Sequence, residues 1–156
     1  MKKLTVWILS IASLGILFST PALTQPGMMR GRGSKGWGST DAYCRMYNTK
    51  AIEILSGEIV SIDKFTPMPG MSYGIHLTLK TAKEDISVHL GPGWYIEGQD
   101  IRLQLKDRIE VKGSMVTFAG KPVIMATQVK KGNDVLTLRD GNGLPAWSGW
   151  RHRSFW

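Results

Sequence analysis

The sequence predicts an all-β protein: a small five- to six-stranded OB-type barrel with one short connector helix. Three observations carry this expectation. From residue 51 onward apolar side chains recur at every second position, the period of a strand with one buried face. The alternating runs are short and regularly spaced, with turn-forming residues between them. One stretch in the middle of the domain, Trp94 to Glu97 after Gly91-Pro92-Gly93, reads as a helical connector, and it falls between the third and fourth strands, where an OB-type barrel carries its linker. A two-sheet β-sandwich is the alternative.

The elements follow in order. Ile52, Ile54, Ile59 and Ile62 lie among Glu53, Glu58, Ser61 and Asp63 and make one long strand. Gly57 interrupts it and predicts a bulge or bend that lets the strand serve both halves of a barrel. Thr66 to Gly70 is a loop. Tyr73 to Lys80 alternates, with Ile75, Leu77 and Leu79 on one face and His76, Thr78 and Lys80 on the other. A four-residue turn over Ala82 to Asp85 would set Leu79 opposite Val88, Leu77 opposite Leu90 and Thr78 opposite His89. His76 and His89 are then diagonal neighbours on the outward face. Ile109 and Val111 begin a strand that ends at Phe118, Ala119-Gly120 turns, and Val123 to Val129 completes the last hairpin. Leu138-Arg139-Asp140 before Gly141 reads as a strand end and turn.

Around this domain, 41–146, the chain divides into three further parts. Residues 1–24 have the features of a signal peptide: Lys2 and Lys3, an uncharged run from Leu4 to Phe18, then a small-residue patch. That run is short of the roughly 20 residues that span a bilayer, so export to a periplasmic or secreted location is expected, with no transmembrane span after processing. Residues 25–40 form a glycine-, arginine- and methionine-rich stretch expected to be a flexible arm. Ser39 or Thr40 would cap a short helix over 41–47. Residues 147–156 form a basic aromatic tail.

The formal net charge of the whole chain is +8, but the excess belongs to the ends. Between 41 and 146 there are 13 Lys and Arg against 12 Asp and Glu. A barrel that tracks a phosphate backbone carries its cations on the folded domain, so nucleic acid is the weaker reading; the tails suit an anionic surface. Cys44 is the single cysteine, which excludes an intramolecular disulfide and predicts a buried thiol.

Several stretches, Ser56-Gly57-Glu58-Ile59-Val60, Val88-His89-Leu90-Gly91-Pro92-Gly93-Trp94-Tyr95, and Leu138-Arg139-Asp140 with Gly143, Pro145 and Trp147, resemble small exported bacterial OB-type proteins. That resemblance covers about two-thirds of the chain. It implies the barrel, and a generic DNA-binding label that is an analogy of fold; it implies no particular ligand or mechanism.

The candidate ligand-binding residues are His76, His89, Trp94 and Tyr95. Imidazoles sharing a strand face beside two aromatic rings can meet a metal or an anionic group. Met68 and Met71, with Met28 and Met29 in the arm, would add thioethers suited to copper, giving a His76, His89, Met68 and Met71 metal set. Trp94, Tyr95, Trp147 and Trp150 would serve as a stacking platform or, alternatively, plug the barrel ends and pin the tail. No nucleophile motif, phosphate-cradling loop or Cys-x-x-Cys-His haem attachment occurs, so the sequence gives no catalytic residues and no required cofactor. The expected protein is an exported, non-enzymatic binding module for an unknown envelope ligand or protein. A metal or redox accessory protein and a nucleic-acid binder are the alternatives.

Overall fold

A computed structural model describes residues 35–148; the signal-peptide stretch, most of the arm, Met28, Met29, Trp150 and the tail beyond 148 lie outside the described residues. The strands are β1 (Ile52–Phe65), β2 (Gly74–Lys80), β3 (Asp85–Pro92), β4 (Arg108–Phe118), β5 (Lys121–Lys131) and β6 (Asp134–Thr137). The connector helix α1 (Gly93–Ile96) lies between β3 and β4. All six strands belong to one sheet, ordered β3-β2-β1-β4-β5-β6, and an additional β3–β5 pairing closes it into a ring. The sandwich alternative is thereby excluded. Among the described residues no helix is long and apolar enough to cross a membrane.

One long strand makes closure possible. The first half of β1 pairs with β4, from Ile52–Ser114 to Glu58–Arg108, and the second half pairs with β2, from Glu58–Lys80 to Phe65–Gly74. The bulge in this strand falls between Ile59 and Ser61, a little past the glycine expected to hold it. Gly57 serves a different purpose. A Cβ there would collide with the Lys80 carbonyl, so glycine is required where β2 crosses. Parallel pairing of Ser87, Val88 and His89 with Val123, Ile124 and Met125 then seals the ring. β4 reverses into β5 at Ala119 and Gly120, both with positive φ (49° and 77°), the primed geometry that matches strand twist.

Alternation turns one face of each strand inward. Ile59, Leu77, Leu79, Val88, Val111, Ile124 and Val129 have no exposed surface, and each such side chain stabilises the fold by about 1.5–3 kcal/mol through burial.

The β2–β3 register differs from expectation. Leu79 faces Ile86, Leu77 faces Val88 and Lys80 faces Asp85, a shift of two residues. Thr81 holds the four-residue turn one position earlier, at 81–84: its hydroxyl donates to the Glu84 carbonyl (2.7 Å) and accepts from the Lys83 and Glu84 amides. A two-residue shift preserves the faces, because strand side chains repeat with period two.

Two expectations about the flanks are also corrected. Lys35 to Thr40 is not free arm, because Trp37 is wholly buried. Its indole lies over Gly74, where any Cβ would come within 2.6 Å of the ring, and its Nε1 donates to the Ser72 carbonyl (3.0 Å). Nor is Trp147 tail: it is 1% exposed and its Nε1 donates to the Trp37 carbonyl (2.9 Å). The helix expected over 41–47 is a single 3-10 turn, Cys44–Met46, without a side-chain cap; Asp41 instead accepts from the Gly38 amide (2.6 Å). The Cys44 thiol is buried, which pushes its pKa up to about 11.

Candidate functional site

Strands β1, β2 and β3 present two adjacent rows of side chains on the outer face of the ring. Asp63, His76 and His89 are direct neighbours in one row, and Ser61, Thr78 and Ser87 in the next. Direct pairing of His76 with His89 replaces the diagonal arrangement expected from sequence, a consequence of the turn lying at 81–84 and not 82–85. Their ring centroids are 5.8 Å apart and nearly perpendicular. Within the second row Ser61 Oγ donates to Thr78 Oγ1 (3.0 Å), and the bond from His76 Nδ1 to Ser87 Oγ (3.1 Å) links the two rows. All of Ser61, His76, Thr78 and Ser87 are partly accessible, and Asp63 is exposed.

His89 is different. It is 4% exposed, although it points out of the ring, because a second layer covers it. The Tyr43 hydroxyl bonds His89 Nδ1 at 2.8 Å, Phe65 stands 4.4 Å from the imidazole centroid to centroid, and Phe118 stands at 5.1 Å. Burial, then the neighbouring His76 and Arg139, lowers the His89 pKa to about 3, so the ring is neutral at ordinary pH. Burial raises the Tyr43 phenol well above its usual range. When that protonated hydroxyl donates to Nδ1, the imidazole keeps its own proton on Nε2.

The expectation that both histidines stand on an open face is therefore corrected: His76 is reachable and His89 is roofed. Tyr95, 8% exposed, packs against Trp147 (5.4 Å), and Trp147 packs edge-on against Trp37 (6.2 Å). These rings are packing and not an open stacking platform. Trp94 is partly buried at the start of α1, 6.2 Å from Tyr95. Met68 and Met71 are also partly buried and pack against the core, with Met71 beside Gly36. Among the described residues no group of three His, Cys, Asp or Glu side chains is placed to hold a metal ion.

Sequence reasoning missed Arg139. It is 2% exposed, and its guanidinium lies 5.0 Å from the Trp147 ring and 5.6 Å from the Tyr47 ring. Nη1 donates to the Ala126 carbonyl (2.7 Å), and burial lowers its pKa. Among the described ion pairs none involves it. Two aromatic faces thus take the place of a carboxylate. An arginine ahead of a turn gives no hint of this, because the flanking rings come from distant parts of the chain.

The MamS/MamX magnetosome protein family matches residues 51–136, more than half of the chain and nearly all of β1 to β6. No curated protein compared with the chain is similar enough to match.

Proposed function

We propose that this chain, which belongs to the MamS/MamX magnetosome protein family, is an accessory, non-catalytic binding module that takes a polar ligand on the outer face of β2 and β3, around His76. The observation that carries the reading is the pair of rows Asp63–His76–His89 and Ser61–Thr78–Ser87, of which only His89 is buried. Hydroxyl and imidazole groups side by side offer donors and acceptors in both senses, and the strand 2–3 face is where OB-type barrels bind ligands. Neither row contains a lysine or arginine, which favours an uncharged polar ligand over a phosphate backbone. His89 borders the accessible part of the face and is held in place by the Tyr43 hydroxyl. The leader supports an exported setting for this activity, periplasmic or secreted, and the basic tails support adhesion to an anionic surface.

Native mass spectrometry of the protein purified from its own cells tests the proposal. The expected result is a co-purifying adduct on wild type that is lost from His76→Ala and Ser87→Ala. A wild type without adduct, or the same adduct on all three, overturns it.

One observation favours a second reading, metal binding: His76 and His89 are direct cross-strand partners. Copper or zinc titration into wild type and His76→Ala decides it. Equal uptake by both removes the metal reading.

A further inference from the structure

We infer a second binding site, which shares only Asp63 with the His76 face: a cavity between the ring strands and the stretch from α1 to β4 that takes an amphipathic carboxylate with a compact apolar body. Its volume is about 290 Å³. Ile62, Leu77 and Leu90 line it from β1, β2 and β3, and Ile96, Ile101 and Leu103 close it from α1 and the segment leading to β4. Leu77 and Leu90 are fully buried, whereas the other four pack on the core yet remain partly exposed. Apolar side chains that already form walls, and still meet solvent, gain from an apolar occupant.

The walls are fastened at both ends. At α1, both Glu97 carboxylate oxygens accept from the Tyr73 hydroxyl (3.0 and 2.9 Å), and Lys64 pairs with Glu97 at 3.7 Å. At the far end Lys131 bridges the Arg102 carbonyl (2.7 Å) and the Asp107 carboxylate (2.8 Å), which also accepts from the Gln104 amide (2.7 Å). The Lys131 ammonium, then the Gln104 amide, holds the Asp107 carboxyl below its ordinary pKa. Lys106 N bonds the Ile59 carbonyl (2.8 Å), and Ile59 N bonds the Asp107 carbonyl (2.9 Å), tying this segment to β1. A cavity with pinned walls is preformed, as small-molecule sites usually are.

Size and charge define the occupant. An apolar cavity of roughly 150 Å³ accommodates benzene, so this one suits a body of about ten carbons, aliphatic or aromatic. The rim carries Lys64, Glu97, Arg102 and Asp63. Glu97 is already engaged by Tyr73 and Lys64, and Asp63 sits in the outward row with His76. Arg102 appears in none of the described ion pairs. A head group at the mouth therefore meets a guanidinium with unspent donors, and a carboxylate is its natural partner.

Calorimetric titration of the full chain with decanoate, decanol and acetate tests the site. Decanoate is expected to bind one to one, decanol at least tenfold more weakly, and acetate not measurably. Leu103→Trp and Ile101→Phe, which fill the cavity, should each weaken decanoate at least tenfold. Arg102→Gln should bring decanoate down to the level of decanol, and His76→Ala should leave it unchanged. Absence of saturable decanoate binding to wild type, or undiminished binding to both filled variants, overturns the site. Equal affinity for decanol and decanoate overturns the choice of a carboxylate. Loss of binding in His76→Ala overturns its separation from the outer face.

Discussion

The inside of the ring and the layer outside β2 and β3 both bury large side chains but are differently made, and Phe65 and Phe118 at the edge of the layer remain partly exposed. The interior is aliphatic, drawn from consecutive strands, and typified by Leu77 at 0% exposure. The outer layer is aromatic, typified by Trp37, also at 0%. Tyr43, Phe65, Phe118 and Trp147 converge on it from across the whole described chain, ring against ring at centroid distances between 5.2 and 6.4 Å. The matched family stretch, 51–136, spans the ring strands, whereas Trp37, Tyr43 and Trp147 lie outside it. The difference teaches that burial alone does not distinguish a scaffold from what is packed onto it: one follows from strand periodicity, the other from scattered long-range contacts.

The most severe way to break the comparison is to remove its representatives. Trp37→Ala should cost about 3–5 kcal/mol and Leu77→Ala about 2–5 kcal/mol, both from deleting a buried side chain and leaving a cavity. Urea denaturation measures each. A cost under about 1 kcal/mol for Trp37→Ala would show the outer layer to be dressing and not core.

A smaller perturbation separates layer from ring more finely. Gly74→Ala places a methyl group against the Trp37 indole, within the 2.6 Å noted above. We expect about 1–3 kcal/mol of destabilisation from this overpacking, with a near-UV circular dichroism change reporting the displaced indole. Unchanged near-UV signal would contradict the contact.

A third test uses pH. Because the folded His89 pKa is lowered to about 3 from its ordinary 6.5, the unfolded chain takes up the proton first as pH falls. The contribution of neutral His89 is complete above about pH 6.5 and is lost on the way down toward pH 3, by at most about 1.4 kcal/mol per pH unit. His89→Gln should flatten the slope between pH 6 and 4 relative to wild type. Parallel slopes would mean that His89 is not held neutral by the layer.

The same contrast explains what was legible in the sequence. Ile75, Leu77 and Leu79, with Ile86 and Val88, declared the inner face through alternation, and the Ala119-Gly120 turn declared the β4–β5 hairpin. The fold class followed from such local patterns. His76 and His89 could be placed on one face because a register error of two residues leaves faces unchanged. Their unequal exposure was not legible, since the roof over His89 is Tyr43, 46 residues away. Trp37 in a glycine-rich stretch looks like part of an arm until the surface created by Gly74 is known. Arg139 is invisible for the same reason. The apolar cavity likewise joins Ile62 to Leu103, residues whose proximity depends on how the ring closes.

The bond from the Trp147 indole to the Trp37 carbonyl joins residues 110 positions apart. It orders events during synthesis. The ring needs nothing beyond Lys131 to close, so its interior can assemble on a growing chain. The outer layer is completed later: Tyr43 and Phe65 already flank Trp37, but its indole neighbour, which also bonds its carbonyl, arrives only with Trp147. Until then the side of Trp37 that meets Trp147 stays uncovered, open to misassociation. A chain halted between Lys131 and Trp147 would therefore carry a finished ring and an unfinished exterior.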